Sequence, residues 1–296
     1  MVQVAVGERT LSLSNLDKVM YPEIGFTKSQ VIDYYARIAP AMLPHVAERC
    51  MTLRRWPDGV DGESFFNKRC PAHRPEWVDV SLGPGDRGGD IGYCRIDEPA
   101  ALVWTANLAA IELHAPMAKA ADIEQPTILV FDLDPGPPAA MMECCQVALE
   151  LRDVLAAVEL EAFSKTSGSK GLQVYVPLNS PHTHDQASSF AKAAGQLLAK
   201  QHPDRILVEM NKPLRTGKVF VDWSQNSRHK TTIAAYSLRA RPTPTVSTPV
   251  TWDEVAGGAG GEPLSFSSDD VLARVDRFGD LFAPVAELVQ SLPSGR

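Results

Sequence analysis

Alternation opens the chain. Val2, Val4 and Val6, then Leu11 and Leu13, stand at every second position, which predicts a short strand-turn unit over residues 1–20. The period then lengthens. Val31, Tyr34, Tyr35 and Ile38 fall at three- and four-residue spacing, predicting a helix capped by Thr27 or Ser29 and interrupted at Pro40 and Pro44. Between 51 and 96, short apolar pieces are cut by Pro57-Asp58-Gly59, by Asp61-Gly62 and by the glycines from Gly83 to Gly89, the last an expected mobile loop. Residues 100–113 read as a helix ending before His114 and Pro116. Apolar runs at 127–134, 172–176 and 218–223 predict strands, and helical spacing at 139–157 and 185–201 predicts helices between them, the second capped by Thr183 or Asp185. Strands alternating with helices give an α/β (α+β) layered class. Beyond Pro242 the chain turns Pro/Thr-rich, then Gly-rich from Gly257 to Gly261, and closes with an amphipathic helix near 270–292.

Composition adds bounds to this pattern. The 296 residues are 44% apolar and 22% charged, an ordinary globular mix with ample material for a core. No run approaches the ~18 apolar residues of a membrane span, and the N-terminus lacks a basic region followed by an apolar one. A soluble, non-exported, cytoplasmic protein is expected. The five cysteines form no Cys-x-x-Cys pattern and are odd in number, so reduced thiols are expected rather than disulfides or a four-cysteine zinc site. Cys70 and His73 stand three apart, but no second pair at ligand spacing accompanies them, and both read as packing or surface residues.

The net charge of −7 argues against an undirected nucleic-acid binder. It is unevenly spread. Between Arg205 and Arg241 basic residues greatly outnumber Glu209 and Asp222. A second basic stretch, from Arg49 to Arg74, sets Arg54, Arg55, Lys68 and Arg69 around Phe65 and Phe66. Cations interleaved with aromatics suit a groove that tracks a nucleic-acid backbone and stacks bases. They also suit a solvated face over two core phenylalanines, and the clusters alone leave both readings open.

The sharpest chemistry lies at Phe131-Asp-Leu-Asp-Pro-Gly136. Residues two apart on a strand share a face, so Asp132 and Asp134 converge. Adjacent carboxylates repel unless one is protonated or a cation sits between them, and magnesium or manganese suits oxygen ligands. Pro135-Gly136 ends the strand at once and places the pair at its mouth, where α/β proteins bind ligands. Asp222 ends another apolar strand among Arg215, Arg228 and Lys230; it reads either as a salt-bridge partner or as the third carboxylate a two-cation site needs. The Thr166-Ser-Gly-Ser-Lys-Gly171 segment offers amides, hydroxyls and Lys170 to an anion, yet it is not a Walker loop, because a strand follows it. His114 could donate to a phosphate or serve the core.

Taken in order, these motifs resemble the archaeo-eukaryotic primase superfamily, specifically the polymerase domain of bacterial ligase D and its stand-alone relatives. The series runs from Leu13-Ser-Asn-Leu-Asp-Lys-Val-Met-Tyr-Pro through Arg54-Arg-Trp-Pro-Asp-Gly, Ser64-Phe-Phe, Glu112-Leu-His, the Asp-Leu-Asp-Pro-Gly run, Ser-Gly-Ser-Lys-Gly and Val-Asp-Trp-Ser-Gln-Asn to Arg239-Ala-Arg-Pro. Each piece alone is common; the order carries the resemblance. It implies a primase-polymerase fold, with central β-sheets and an RRM-like catalytic module flanked by helices. It implies one catalytic domain over 1–296: a module over 1–98 with the 5′-phosphate and template contacts, a catalytic module over 99–241, then a Pro/Gly-rich linker and C-terminal helix over 242–296.

The implied activity is template-directed nucleotidyl transfer to a primer 3′-hydroxyl, with ribonucleotides favoured. Asp132, Asp134 and Asp222 match the metal triad, which would hold two Mn2+ or Mg2+ ions. His114, Ser167, Lys170, Arg215, Lys230 and Arg239 match positions that bind the incoming NTP or dNTP. Asn15, Lys18 and Lys28 correspond to a pocket for the downstream 5′-phosphate at a gap. Arg55, Phe65 and Phe66 correspond to groups that stack on or steer the template. One position departs from the pattern: Gln173 stands where these relatives usually carry His, and a neutral amide cannot become cationic.

The implied setting is a bacterial, nucleoid-associated monomer acting on gapped or primed DNA. The sequence shows no ligase or nuclease module, so end joining is expected to use Ku and a DNA ligase in trans, and short-gap filling is the expected task. Two other classes compete. A haloacid-dehalogenase phosphatase also begins with a strand and Asp-x-Asp, but Pro135-Gly136 replaces its expected residues. A non-catalytic gap- or end-binding scaffold would keep the phosphate pocket and lose turnover through Gln173.

Overall fold

A computed structural model of the protein describes residues 1–86 and 88–293. In chain order, the N-terminal segment forms β1 (Val2–Val6), β2 (Arg9–Leu13), β3 (Val19–Tyr21), β4 (Phe26–Thr27), α1 (Lys28–Val46), β5 (Thr52–Arg55), β6 (Phe65–Asn67), β7 (Val80–Pro84), β8 (Asp90–Cys94), α2 (Pro99–Asn107) and β9 (Ala110–Pro116). Then come β10 (Ile128–Pro135), α3 (Met141–Ala156), β11 (Phe163–Thr166), β12 (Leu172–Pro177), α4 (His184–Gln201), β13 (Ile206–Leu207) and β14 (Val219–Asp222). The chain closes with β15 (Thr231–Ile233), β16 (Pro249–Val250), α5 (Trp252–Ala259), α6 (Ser268–Phe278) and α7 (Ala283–Glu287). The class is mixed α/β. No helix among the described residues is long and apolar enough to cross a membrane.

The chain divides into two compact units, each assembled from separated segments. The first comprises Met1–Pro116, Thr231–Ser247 and Phe266–Asp280. The second comprises Met117–Lys230, Thr248–Ser265 and Leu281–Arg296, its described part ending at residue 293.

The first unit centres on an antiparallel four-stranded sheet in the order β15-β9-β5-β6, beside the hairpins β1-β2, β3-β4 and β7-β8. Its core helix α1 buries Tyr34, Tyr35, Ile38 and Met42, and the Tyr35 hydroxyl donates to the Ile111 carbonyl at 2.6 Å. Contrary to expectation, α1 runs unbroken through Pro40 and Pro44. Both prolines are exposed and four residues apart, so their missing N–H groups lie on the wet side while the buried side holds the helix together. The expected helix over 100–113 also fails. It stops at Asn107, turns at Ala109 with φ +60°, and its second half is the buried strand β9 paired with β5 and β15. A short apolar run does not distinguish helix from strand until partners are known.

Cys70 and Cys94 form a disulfide, correcting the expectation of five free thiols; Cys50, Cys144 and Cys145 are free and buried. The two bonded residues lie 24 apart, a separation that carries no local signal in the sequence. Of the loop expected over 83–89, Gly83 and Pro84 belong to β7, and Arg87 lies outside the described residues.

The second unit is built on a six-stranded sheet in the order β13-β14-β10-β12-β11-β16. Only β13 and β14 run parallel; β10 is antiparallel to both its neighbours, so its end is not the mouth of a parallel sheet. Phe131 and Leu133 of β10 are fully buried on one face, leaving Asp132 and Asp134 on the other. The stretch expected as a Pro/Gly-rich linker contains α5, which packs on α3 and is capped by Thr251, whose Oγ1 accepts the Glu254 N–H at 3.2 Å. The expected C-terminal helix is two helices, α6 and α7, parted at Gly279.

Candidate nucleotidyl-transfer site

In the second unit, strand register brings together residues ninety positions apart. Asp132 pairs directly with Asp222 on β14 and with Gln173 on β12, and Gln173 pairs in turn with Lys165 on β11. Directly opposed residues project to the same face. One row therefore crosses four strands as Asp222, Asp132, Gln173 and Lys165, with Asp134 two residues along from Asp132. Burial is the main cause that pushes the Asp132 carboxyl up to about 7, and the charges of Asp134 and Asp222 add to it against the opposing Gln173 and Lys165. Asp134 is also raised, first by burial and then by Asp222, against the lowering effect of Arg215, whose Nη1 lies 3.9 Å from its Oδ2.

Asp222 is held firmly. Its Oδ1 accepts from the Ser224 N–H at 2.9 Å and the Ser224 hydroxyl at 2.6 Å, and its Oδ2 accepts from Gln225 Nε2 at 2.9 Å. As placed, no three His, Cys, Asp or Glu side chains among the described residues are gathered closely enough to hold a metal ion. The donor chemistry nevertheless fits a divalent cation: three carboxylates on one face, two of them raised by crowding and burial that a positive ion would relieve. Turning Asp222 to join them means breaking its bonds to Ser224 and Gln225.

Two glycines permit this arrangement. A Cβ at Gly136 would lie 1.8 Å from the Arg215 carbonyl oxygen, so only glycine lets the end of β10 meet the Lys212–Arg215 turn. That turn sets the Arg215 guanidinium 3.7 Å over the Phe220 ring. A Cβ at Gly171 would lie 2.2 Å from the Leu133 carbonyl oxygen, which brings the Ser167–Gly171 loop against β10. The loop is closed on itself, since Ser167 Oγ accepts from the amides of Ser169 at 3.2 Å and Gly171 at 3.1 Å. Those two amides are thus turned inward, and the exposed Lys170 is the loop's outward donor. Lys230 is exposed.

In the first unit, Glu112 is the organising group that sequence reasoning missed. It was visible in Glu112-Leu-His, but nothing local marks its burial. Its Oε2 lies 3.0 Å from His114 Nε2, its Oε1 3.2 Å from Arg239 Nε, and it also accepts the Ala240 N–H. Burial would push this carboxyl up, yet the His114 hydrogen bond and the Arg239 charge outweigh it and hold it below the usual range. Burial lowers His114 against the raising effect of Glu112. The Phe66 ring stands edge-on to His114 at 5.6 Å, and Arg54 lies over Phe66 at 5.1 Å. Arg55 lies over Phe65 at 5.2 Å and donates to the Leu108 carbonyl. Phe65 and Phe66 are exposed, which sets aside the reading of them as core phenylalanines.

Asn15, Lys18 and Lys28 are also gathered in this unit. Lys28 opens α1, its N–H bonds to the Lys18 carbonyl, and its Nζ donates to the Ser14 carbonyl at 2.8 Å. Burial lowers its ammonium to about 8, assisted by Lys18 and Arg55. Asn15 is exposed at φ +52°, and Lys18 pairs with Asp58 at 2.8 Å.

The LigD primase-polymerase domain model matches residues 27–282. The chain belongs to that family. It is similar to the polymerase domain of Mycobacterium tuberculosis ligase D solved in complex with DNA, with a TM-score of 0.89 and 43% identity over 95% of this chain and 99% of that one. It is 44% identical to the multifunctional non-homologous end joining protein LigD of Mycolicibacterium smegmatis over 92% of this chain. To the LigD of M. tuberculosis H37Rv it is 43% identical over 96% of this chain. It spans 36% and 39% of those two relatives' lengths. Membership in the LigD primase-polymerase family accounts for the mixed α/β fold and leaves the phosphatase alternative without support.

Proposed function

We propose that this chain catalyses template-directed nucleotidyl transfer at gapped or broken DNA, as a polymerase module of end-joining repair. The observation that carries the reading is the register that sets Asp132 opposite Asp222, with Asp134 on the same face, in a chain of this family. Asp132, Asp134 and Asp222 would hold two Mn2+ or Mg2+ ions. Bound there, such ions lower the pKa of a primer 3′-hydroxyl and stabilise the departing pyrophosphate. The 3′-oxygen bonds to the α-phosphorus, the bond to pyrophosphate breaks, and the hydroxyl proton leaves to water.

The chain's own residues bind and orient. Lys170, Arg215 and Lys230 offer charge to the triphosphate, with Ser167 shaping their loop and Gln173 supplying one neutral donor. His114 and Arg239, fixed by Glu112, are proposed as further nucleotide contacts. The N-terminus of α1, with Lys28, Lys18 and Asn15, suits a downstream 5′-phosphate, because its dipole and the two ammonium groups favour an anion. Arg55, Phe65 and Phe66 offer cations and exposed rings to template bases. Ribonucleotides are the favoured substrate, and Ku and a DNA ligase are the proposed partners.

The test is primer extension on a gapped duplex with a 5′-phosphate, Mn2+ and a ribonucleotide. Extension abolished by Asp132→Ala is the expected result. Undiminished gap binding with no extension in any divalent metal would favour the scaffold reading.

A further inference from the structure

We propose that Lys165 is a positioning residue for Asp132, acting through Gln173. The proposal rests on reading Asp132 as a cation ligand. It comes from the row across the sheet, where the side chains touch in register order: Lys165 Nζ lies 2.5 Å from Gln173 Oε1, and Gln173 Nε2 donates to Asp132 Oδ1 at 3.0 Å.

A primary amide has two ends of nearly equal size and opposite polarity. Facing a carboxylate, it helps only with its NH2 end forward. An ammonium has three donors and no acceptor, so it accepts only the amide oxygen as neighbour. Lys165, with no exposed surface, therefore fixes which way Gln173 points. Tyr175 reinforces this, its hydroxyl 3.5 Å from the same Oε1 and its ring 5.3 Å from the ammonium. Tyr175 is in turn set by the edge of Phe282 at 5.2 Å. The result is a carboxylate with one oxygen held by a donor of fixed polarity. Lys165 touches no reacting atom in this scheme; it orients the group that does.

The test measures Mn2+ binding by electron paramagnetic resonance of the free aqueous ion, with no nucleotide or DNA present, alongside kcat and KM for primer extension. Lys165→Met keeps the chain length and removes the charge. It is expected to weaken Mn2+ binding about fivefold and to lower kcat with little change in KM for the nucleotide, while Lys165→Arg retains binding within about twofold, both estimates assuming one charge-assisted hydrogen bond. Gln173→Met is expected to weaken binding similarly, and the double variant no further, because the two side chains act as one unit. Additive losses would overturn the proposal. So would wild-type binding in Lys165→Met while Asp132→Asn has lost it, which leaves the carboxylate reading standing. Wild-type binding in Asp132→Asn refutes that reading beneath it. Should Lys165→Met not fold, Gln173→Met carries the test alone, and unchanged binding there overturns the proposal.

Discussion

Removing one charge from the carboxylate row should make the metal-free protein more stable at neutral pH. Asp132→Asn keeps the shape and an oxygen to accept the Gln173 amide, but it abolishes the charge. Burial first, then Asp134, move the Asp132 carboxyl from 3.8 to about 7. Near pH 4 and below, the proton is bound in both folded and unfolded chains. Between there and about pH 7 only the folded chain retains it. Wild-type stability therefore falls as pH rises through this window and stays low above it, whereas the asparagine variant is spared. At about 1.4 kcal/mol per pH unit the ceiling is about 4 kcal/mol. Partial solvent access and concerted titration with Asp134 bring the working expectation to about 2 kcal/mol. That amounts to roughly 4–8 °C in Tm for a chain of this size. Thermal melts in a chelator from pH 4 to 8 should show the two proteins converging at the acid end and the variant ahead at pH 8. Parallel curves would refute the reasoning. The same variant should lose primer extension, separating stability from chemistry.

Lys28, lowered to about 8 by burial, holds its proton less well folded than unfolded between about 8 and 10.5, so its contribution to stability improves as pH rises there. A 5′-phosphate needs the charged form. The advantage of a phosphorylated gap over an unphosphorylated one, read by fluorescence anisotropy at fixed ionic strength, should shrink from pH 7 to 9 in wild type and be small throughout in Lys28→Met. Gly136→Ala drives a Cβ into the Arg215 carbonyl and should cost at least about 3 kcal/mol, seen in denaturant melts. Phe66→Ala should weaken gapped-DNA binding by about 1–3 kcal/mol without lowering Tm, since the ring is 56% exposed. A thiol reductant, or Cys70→Ser, should lower stability by about 2–4 kcal/mol; melts that ignore reductant would show the bond to be absent in solution.

The helices with clear periodicity and caps were legible in the sequence. Of the two caps expected for α4, Thr183 or Asp185, it is Thr183 that accepts the Gln186 N–H, and the Asp-x-Asp strand ends where Pro135-Gly136 ends it. What the sequence hid depended on partners. The segment of β9 looks helical until β5 and β15 flank it, and α1 crosses two prolines because its buried side outweighs two absent donors. In the site, Asp132, Asp134 and Asp222 could be picked out by residue type and strand position. Glu112 and Lys165 could not, because a buried charge announces itself only through the neighbours that satisfy it, and those lie on other strands.

The alternation of the chain between its two units has a practical consequence. It passes from one to the other after residues 116, 230, 247, 265 and 280. Any single cut that frees the N-terminal 116 residues takes β15 away from β9, and any fragment ending before Thr248 leaves β11 without β16. Neither half can be expressed as a contiguous piece with its sheet complete. Tags, insertions and protease sites therefore belong at the termini or in exposed turns such as that at Gly7, not at the apparent borders between units.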